Sequence, residues 1–249
     1  MKRTASLQIL GCLLGMTVFQ GSAASSSHTS GWRITQFHEI NGKEVTYITS
    51  RFVRLDRVSN NYSALIIERD GLIYFFSDKQ KLLYKARIAD FNFKSVNLLR
   101  MFTGDSRAGY NWKKVGKRKV GNTWSICFES ADYSNVFQGN PAGGYLAGAK
   151  RKIDTITTLY VSDEIILSKA VSKLLSQLQG TKDFGYMPLK EVTTWKEKDK
   201  TRVNIDLLEF KRMDIDESRG RVPKGYRLTE KLSDITNLDK SSAEELLCK

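Results

Sequence analysis

The segment Ala64 to Ala86, ALIIERDGLIYFFSDKQKLLYKA, admits few folds. Two polar turn signals cut it into three short apolar runs. The first is Asp70-Gly71, a pair favoured in tight hairpins because both central positions need φ > 0. The second is the longer stretch SDKQK. The runs read as three strands of an antiparallel meander. With Asp70-Gly71 as a two-residue loop, Ile67 faces Tyr74 and Leu65 faces Phe76 on one side. Ile66 then faces Phe75, and Glu68 faces Ile73, on the other. Both sides are apolar. An antiparallel sheet with one wet face alternates apolar and polar residues, so each side of this one needs a cover.

The rest of the chain supplies more strands. Residues 31–39 lead into an Asn41-Gly42 turn, and 45–55 read as one long strand rich in β-branched and aromatic residues. Residues 114–120 and 123–130 form a hairpin across Gly121-Asn122, and 155–161 is another strand. Residues 188–196 and 202–213 flank the polar turn EKDKT. A short final strand follows Pro223-Lys224-Gly225-Tyr226. Helical spacing is clearest over 163–179, capped by Ser162 and ended by Gly180. There Ile166, Ala170, Leu174 and Leu178 recur every four residues, a wide apolar stripe. A second, irregular helix fits 91–102, and Ser241 with Glu244 make a capping box in the tail. Residues 132–152 read as a long Gly-rich loop. Sequential strands with few helices argue a curved antiparallel sheet with helices on one side.

The N-terminus reads as a secretory signal peptide over 1–23: basic Lys2 and Arg3, an apolar run over 7–19, then Gly21-Ser22-Ala23. This places the protein in the periplasm as an exported domain. The rival reading takes Ile9-Leu10-Gly11-Cys12 as a lipobox, which leaves a membrane-anchored lipoprotein acylated at Cys12. A polar linker spans 24–30, the folded domain 31–229, and a polar tail 230–249. Loss of Lys2 and Arg3 lowers the formal charge from +13 to +11. Such a surface attracts anions. Export excludes nucleic acid and leaves anionic lipid or an acidic envelope polymer. Within the basic run 113–119, Lys113, Lys117 and Lys119 share one strand face with Val115. That face is either a solvated edge that resists aggregation or a contact with an anionic membrane surface.

Enzyme signatures are missing. Of the two histidines, His28 falls in the linker and His38 ends the first strand. No HExxH, paired CxxC, GxSxG or phosphate loop occurs, and the carboxylates of MDIDES (Asp214, Asp216, Glu217) lack the glycine and distal glutamate of a calcium loop. The chain reads as a non-enzyme with no cofactor and no metal. After the leader, Cys127 and Cys248 remain. In an oxidising compartment they form a disulfide, or Cys127 is a buried apolar thiol and Cys248 a tail thiol.

The order of these segments resembles an uncharacterised periplasmic domain family related to the lipoprotein-carrier (LolA-like) half-barrels. The likeness runs over 31–229: the meander, a VGKRKVGNTWSICFE unit, TLYVSDEI before the helix, the MPLKEVTTW and RVNIDLLEFKR pair, and VPKGYRL. It is strongest from Gly121 to Cys127 and at Pro223-Lys224-Gly225-Tyr226. The 132–152 insertion and Arg219-Gly220-Arg221 depart from it. The resemblance implies an α+β fold, a strongly curved half-barrel of nine to eleven antiparallel strands wrapped around one or two helices. It also implies an apolar cavity between sheet and helix, whose candidate lining is Leu65, Ile67, Tyr74, Phe76, Ile166, Ala170, Leu174 and Leu178; whether that meander set or Ile66, Ile73 and Phe75 points inward stays open at the level of sequence. The expected function is to bind or carry a lipid, a lipoprotein acyl chain or a similar apolar ligand. The alternative is a cell-envelope protein with a filled core that acts through protein or anionic-surface contacts.

Overall fold

A computed structural model describes residues 27–91, 112–130, 155–195 and 199–236. In it the meander forms β4 (Tyr62–Ile67), β5 (Leu72–Ser77) and β6 (Leu82–Arg87). Its first turn is longer than the sequence predicts. Glu68–Asp70 make a 3₁₀ turn, and Gly71 closes it in the left-handed region at φ 66°. Ile67 therefore pairs with Leu72, Ile66 with Ile73 and Leu65 with Tyr74. The register differs from expectation by an even number of residues, so the faces are unchanged. Leu65, Ile67, Tyr74 and Phe76 share one face; Ile66, Ile73 and Phe75 share the other.

The predicted strand over 45–55 is two strands, β2 (Gly42–Thr49) and β3 (Val53–Arg57). Thr49 breaks it. Its hydroxyl accepts from the N–H groups of Arg51 and Phe52, and its own N–H donates to the Phe52 carbonyl. A threonine that serves its neighbours' backbone in this way favours a turn over a continuing strand. β1 (His28–His38) begins inside the expected linker, because β11 (Lys200–Asp216) is long enough to pair with His28, Thr29 and Ser30. The remaining strands are β7 (Trp112–Val120), β8 (Thr123–Ser130), β9 (Thr155–Ile166), β10 (Tyr186–Trp195) and β12 (Arg227–Leu228). All twelve form one curved, unclosed sheet in the order β12-β6-β5-β4-β3-β2-β1-β11-β10-β9-β8-β7. Neighbours run antiparallel, except that β12 is parallel to β6. The expected α+β half-barrel is thus present, with one strand beyond the upper expectation.

The principal helix, α1 (Lys169–Gln179), starts later than the spacing predicts. Residues 163–166 continue β9 instead. Lys117 holds Asp163 at 2.7 Å and Thr123 donates to Glu164 at 3.0 Å, while the Ser162 hydroxyl accepts from the Glu164 and Ile165 N–H groups. Ser168, not Ser162, is the N-cap, accepting from the Val171 N–H. Gly180 ends the helix at φ 74°, as expected. A short helix, α2 (Ser233–Thr236), follows β12.

α1 lays Val171, Leu174, Leu175 and Leu178 on one face of the sheet, among Ile34, Ile48, Leu55, Ile66, Ile73, Phe75, Met187, Leu189 and Phe210. Each fully buried aliphatic side chain contributes roughly 1.5–3 kcal/mol. Phe91 stacks on Phe75 on this same helix face, ring centroids 5.3 Å apart. The outer face has a separate core of Val45, Tyr47, Phe52, Leu65, Phe76 and Ile215. Its cover is the segment after β11: a 3₁₀ turn at Glu217–Gly220, then Val222 and Tyr226. Arg219 lies over the Tyr47 ring at 4.3 Å, and Tyr226 meets Phe76 edge-on while its hydroxyl donates to Asp78. Among the described residues, the second apolar face of the meander is therefore roofed by the C-terminal segment. Residues 92–102, the 132–152 loop, the expected leader with Cys12, and the Ser241/Glu244 capping box lie outside the described residues.

Candidate functional site

A row of polar side chains crosses the helix face beneath the last turn of α1. Tyr62 on β4, Arg57 on β3, Glu44 on β2 and Gln36 and His38 on β1 all point inward and are buried. Arg57 donates to Glu44 at 3.2 Å, to the Tyr62 hydroxyl and to the Leu178 carbonyl. It thereby places a cation at the negative end of the helix. Gln179 donates to Glu44 at 2.8 Å and to Gln36 at 3.1 Å, and Gln36 donates to the Pro188 and Leu189 carbonyls. His38 Nε2 stands 3.4 Å from Glu44. Burial pushes the Glu44 carboxyl up, but His38, Arg57 and Gln179 outweigh it and bring its pKa down to about 2. Burial likewise opposes the charge on Arg57; Tyr62 and Glu44 overcome it and hold its pKa above the ordinary value. Further along, Asn204 is turned inward at a β11 bulge and donates to Glu191 at 2.8 Å and Thr193 at 2.9 Å. The sequence reading missed this row. Its signal was present: Gln36 and His38 continue the period-two series from Ile34, Glu44 that from Thr46 and Ile48, and Arg57 that from Val53 and Leu55. Buried, and bonded to the end of α1 through Arg57 and Gln179, the row locks the helix to the sheet.

The expected cavity residues do not meet. Leu174 and Leu178 are on the helix face, whereas Leu65, Ile67, Tyr74 and Phe76 belong to the outer-face core. Ile66, Ile73 and Phe75 face α1 in their place. Both sets are equally apolar, so alternation alone gives no preference between them. Ile166 ends β9 and is 77 % exposed, and Ala170 is half-buried in the first turn of α1.

Open space occurs elsewhere. A groove of about 860 Å³ lies at the end of the sheet, between the 49–53 turn, the Glu68–Asp70 turn, the 217–221 segment and the start of α1. Its apolar wall combines both layers: Val53, Ile66 and Val171 from the helix face, Phe52 and Ile67 from the outer face. Arg51, Arg69 and Arg221 stand on its rim with Glu68, Asp70 and Glu217. Arg51 is held by Glu217 at 2.5 Å, and Arg69 lies 3.5 Å from Asp70. The Arg221 side chain pairs with no carboxylate among the described residues. Gly220 packs against the Phe52 ring so closely that a Cβ there would lie 2.7 Å from Cε1 and 2.9 Å from Cγ. Gly220 and Arg221 thus form part of this wall.

The basic strand is also rearranged. A β-bulge between Lys114 and Gly116, with Gly116 at φ 136°, shifts the alternation. Lys117 and Lys119 pair with Ile126 and Trp124 on the helix face, but Lys113 pairs with Glu129 on the outer face. The three lysines do not share a face. Cys127 is a free thiol and fully buried, while Cys248 lies outside the described residues. Burial raises the Cys127 pKa. Of the MDIDES carboxylates, Asp216 accepts from the Ser218 N–H and Glu217 binds Arg51 and Ser27. No cluster of three metal-ligating side chains occurs among the described residues.

No protein-family model and no curated protein matches the chain. Among solved structures it is similar to an uncharacterized conserved protein from Thermus thermophilus, at 13 % identity and a TM-score of 0.41, over 82 % of this chain and 91 % of that one. It is similar to Pseudomonas aeruginosa MucB, solved as a complex with MucA, at 10 % identity and a TM-score of 0.39, over 80 % of this chain and 58 % of that one. A LolA superfamily protein from Nitrosomonas europaea overlaps at 8 % identity and a TM-score of 0.15, over 80 % and 91 % of the two chains. At these scores no overlap assigns a family or a function to this chain.

Proposed function

We propose that this protein is a non-catalytic periplasmic binding domain that takes an acyl chain bearing an acidic head group. The groove at the end of the sheet carries this reading. Phe52, Val53, Ile66, Ile67 and Val171 offer an apolar wall, and Arg221 and Arg69 offer cations at its mouth. Its volume falls within the range of small-molecule sites, roughly 300–1,000 Å³. The signal-peptide reading of 1–23 supplies the compartment. The charged row beneath α1 suits a structural role better than catalysis, because His38 and Glu44 are buried away from any substrate.

Native mass spectrometry of the protein purified from the periplasm, followed by solvent extraction, tests the reading. The expected result is a reproducible adduct that extracts as an acidic lipid, and uptake of a fluorescent fatty acid that Val171→Asp or Arg221→Glu weakens. A bare protein that takes up no fatty acid overturns it. One observation favours the alternative of a filled core acting through protein contacts: the space between α1 and the sheet is occupied by buried side chains.

A further inference from the structure

β7 is an edge of the sheet. Its described neighbour is β8 alone, and residues 113–119 are all exposed. Nine residues give an edge about 30 Å long, on which alternate backbone N–H and C=O groups point away from β8. Such an edge is a template for another strand. Lys113, Lys114, Lys117, Arg118 and Lys119 lie along it. The bulge divides them: Lys114, Lys117 and Lys119 project with Phe128, Ile126 and Trp124 on the helix face, while Lys113 and Arg118 project with Glu129 and Ser125 on the outer face. Beside them Val115 is 45 % and Trp124 52 % exposed, and Lys119 sits over the Trp124 ring at 5.7 Å.

We infer that β7 docks an extended acidic polypeptide segment as an additional strand. The placement of the cations selects this occupant. A bilayer needs its cations on one plane, whereas a strand added to the edge is flanked by side chains on both faces. Two rows of cations match a strand that carries acidic side chains on both faces, which adjacent acidic residues supply. A second copy of the same edge is repelled by like charge. Backbone bonds supply affinity and the cations supply selection and on-rate. This inference does not depend on the groove.

The experiment is a fluorescence-anisotropy titration of the protein with a labelled nine-residue Glu/Val peptide whose glutamates stand in adjacent pairs, one on each face, at low and high salt. Two further probes are a copy N-methylated at alternate residues, with equal charge but lacking half the N–H donors, and vesicles containing phosphatidylglycerol. The inference expects saturable binding of the acidic peptide, weakened by salt and by about tenfold or more on N-methylation. Amide exchange across 112–120 should slow when the peptide binds. Lys114→Glu with Arg118→Glu, one exposed reversal on each face, should weaken it further. Equal binding of the N-methylated copy means charge attraction without strand addition and overturns the inference. So does sedimentation with vesicles without peptide binding, which makes the edge a membrane contact. The peptide comparison is made on the unaltered chain, so the outcome does not depend on whether the variant folds.

Discussion

Gln179, the last residue of α1, donates from Nε2 to the Glu44 carboxylate at 2.8 Å, and the same carboxylate receives Arg57 at 3.2 Å. One buried anion on β2 thus holds both the end of the helix and the neighbouring strand. Its pKa in the fold is about 2, against an ordinary 4.5. A group whose folded pKa is depressed contributes stability above its unfolded pKa and loses it as pH falls through the folded value. Glu44 should therefore contribute on the order of 3 kcal/mol at neutral pH, lost progressively from about pH 4.5 down to about 2. Urea unfolding across that window should show a steeper loss for the native sequence than for Glu44→Gln. Equal slopes would mean that Glu44 is not held as an anion.

Removing Arg57 should be worse than removing the pair. Arg57→Met leaves Glu44 buried without its cation and takes a donor from the Leu178 carbonyl. Breaking a buried ion pair from one side costs about 3–5 kcal/mol, and replacing both partners often costs far less. The Glu44→Gln/Arg57→Met chain should accordingly lose less than the sum of the single losses, by about 1–3 kcal/mol. Chemical denaturation of the four chains measures the coupling; strict additivity would show that the two groups do not act together.

The sequence made the meander legible because its turns are marked by Asp70-Gly71 and SDKQK and its two faces follow from period-two alternation. It left open which face met the helix. Leu65/Tyr74 and Ile66/Ile73 are equally apolar, and the choice is made by long-range partners: α1 on one side, Val222 and Tyr226 on the other. The strand break at Thr49 and the late start of α1 depended on side chains bonding to backbone or to distant residues, such as Lys117 to Asp163. Alternation misplaced Lys113 because one bulge at Val115 inverts everything beyond it. The groove was illegible for a similar reason, since its walls come from four separated segments that only the fold brings together.

Two glycines at crowded places should respond differently to alanine. A Cβ on Gly31 would run into the Ile48 carbonyl oxygen and lie 2.7 Å from Ile215 Cδ1, so backbone must move. On Gly220 it would meet the Phe52 ring, a side chain bordering open space. Overpacking costs about 1–3 kcal/mol. Gly31→Ala should fall at the upper end and Gly220→Ala at the lower. Gly220→Ala should also alter fatty-acid uptake, because it displaces the Phe52 ring from the groove wall. Thermal melts with a fluorescent fatty-acid titration separate the two; the reverse ranking would show that the Phe52 ring cannot yield.

Cys127 on β8 faces the same side of the sheet as Tyr160 on β9 and has no exposed surface. Burial raises its pKa, Arg118 opposes the rise and Glu129 adds to it, so the reactive thiolate is scarce as well as shielded. With Cys12 and Cys248 replaced by serine, the folded chain should titrate no thiol at pH 8 and one thiol in denaturant. The unaltered chain, unfolded without reductant, should also show its Cys127 thiol, since the cysteine is free; a missing thiol would establish a disulfide to another cysteine. Cys127→Ala should cost about 1 kcal/mol through lost packing, and Cys127→Ser about 1–3 kcal/mol through a hydroxyl buried without a partner. A serine variant as stable as the alanine one would show that a hydrogen-bond partner stands within reach of this position.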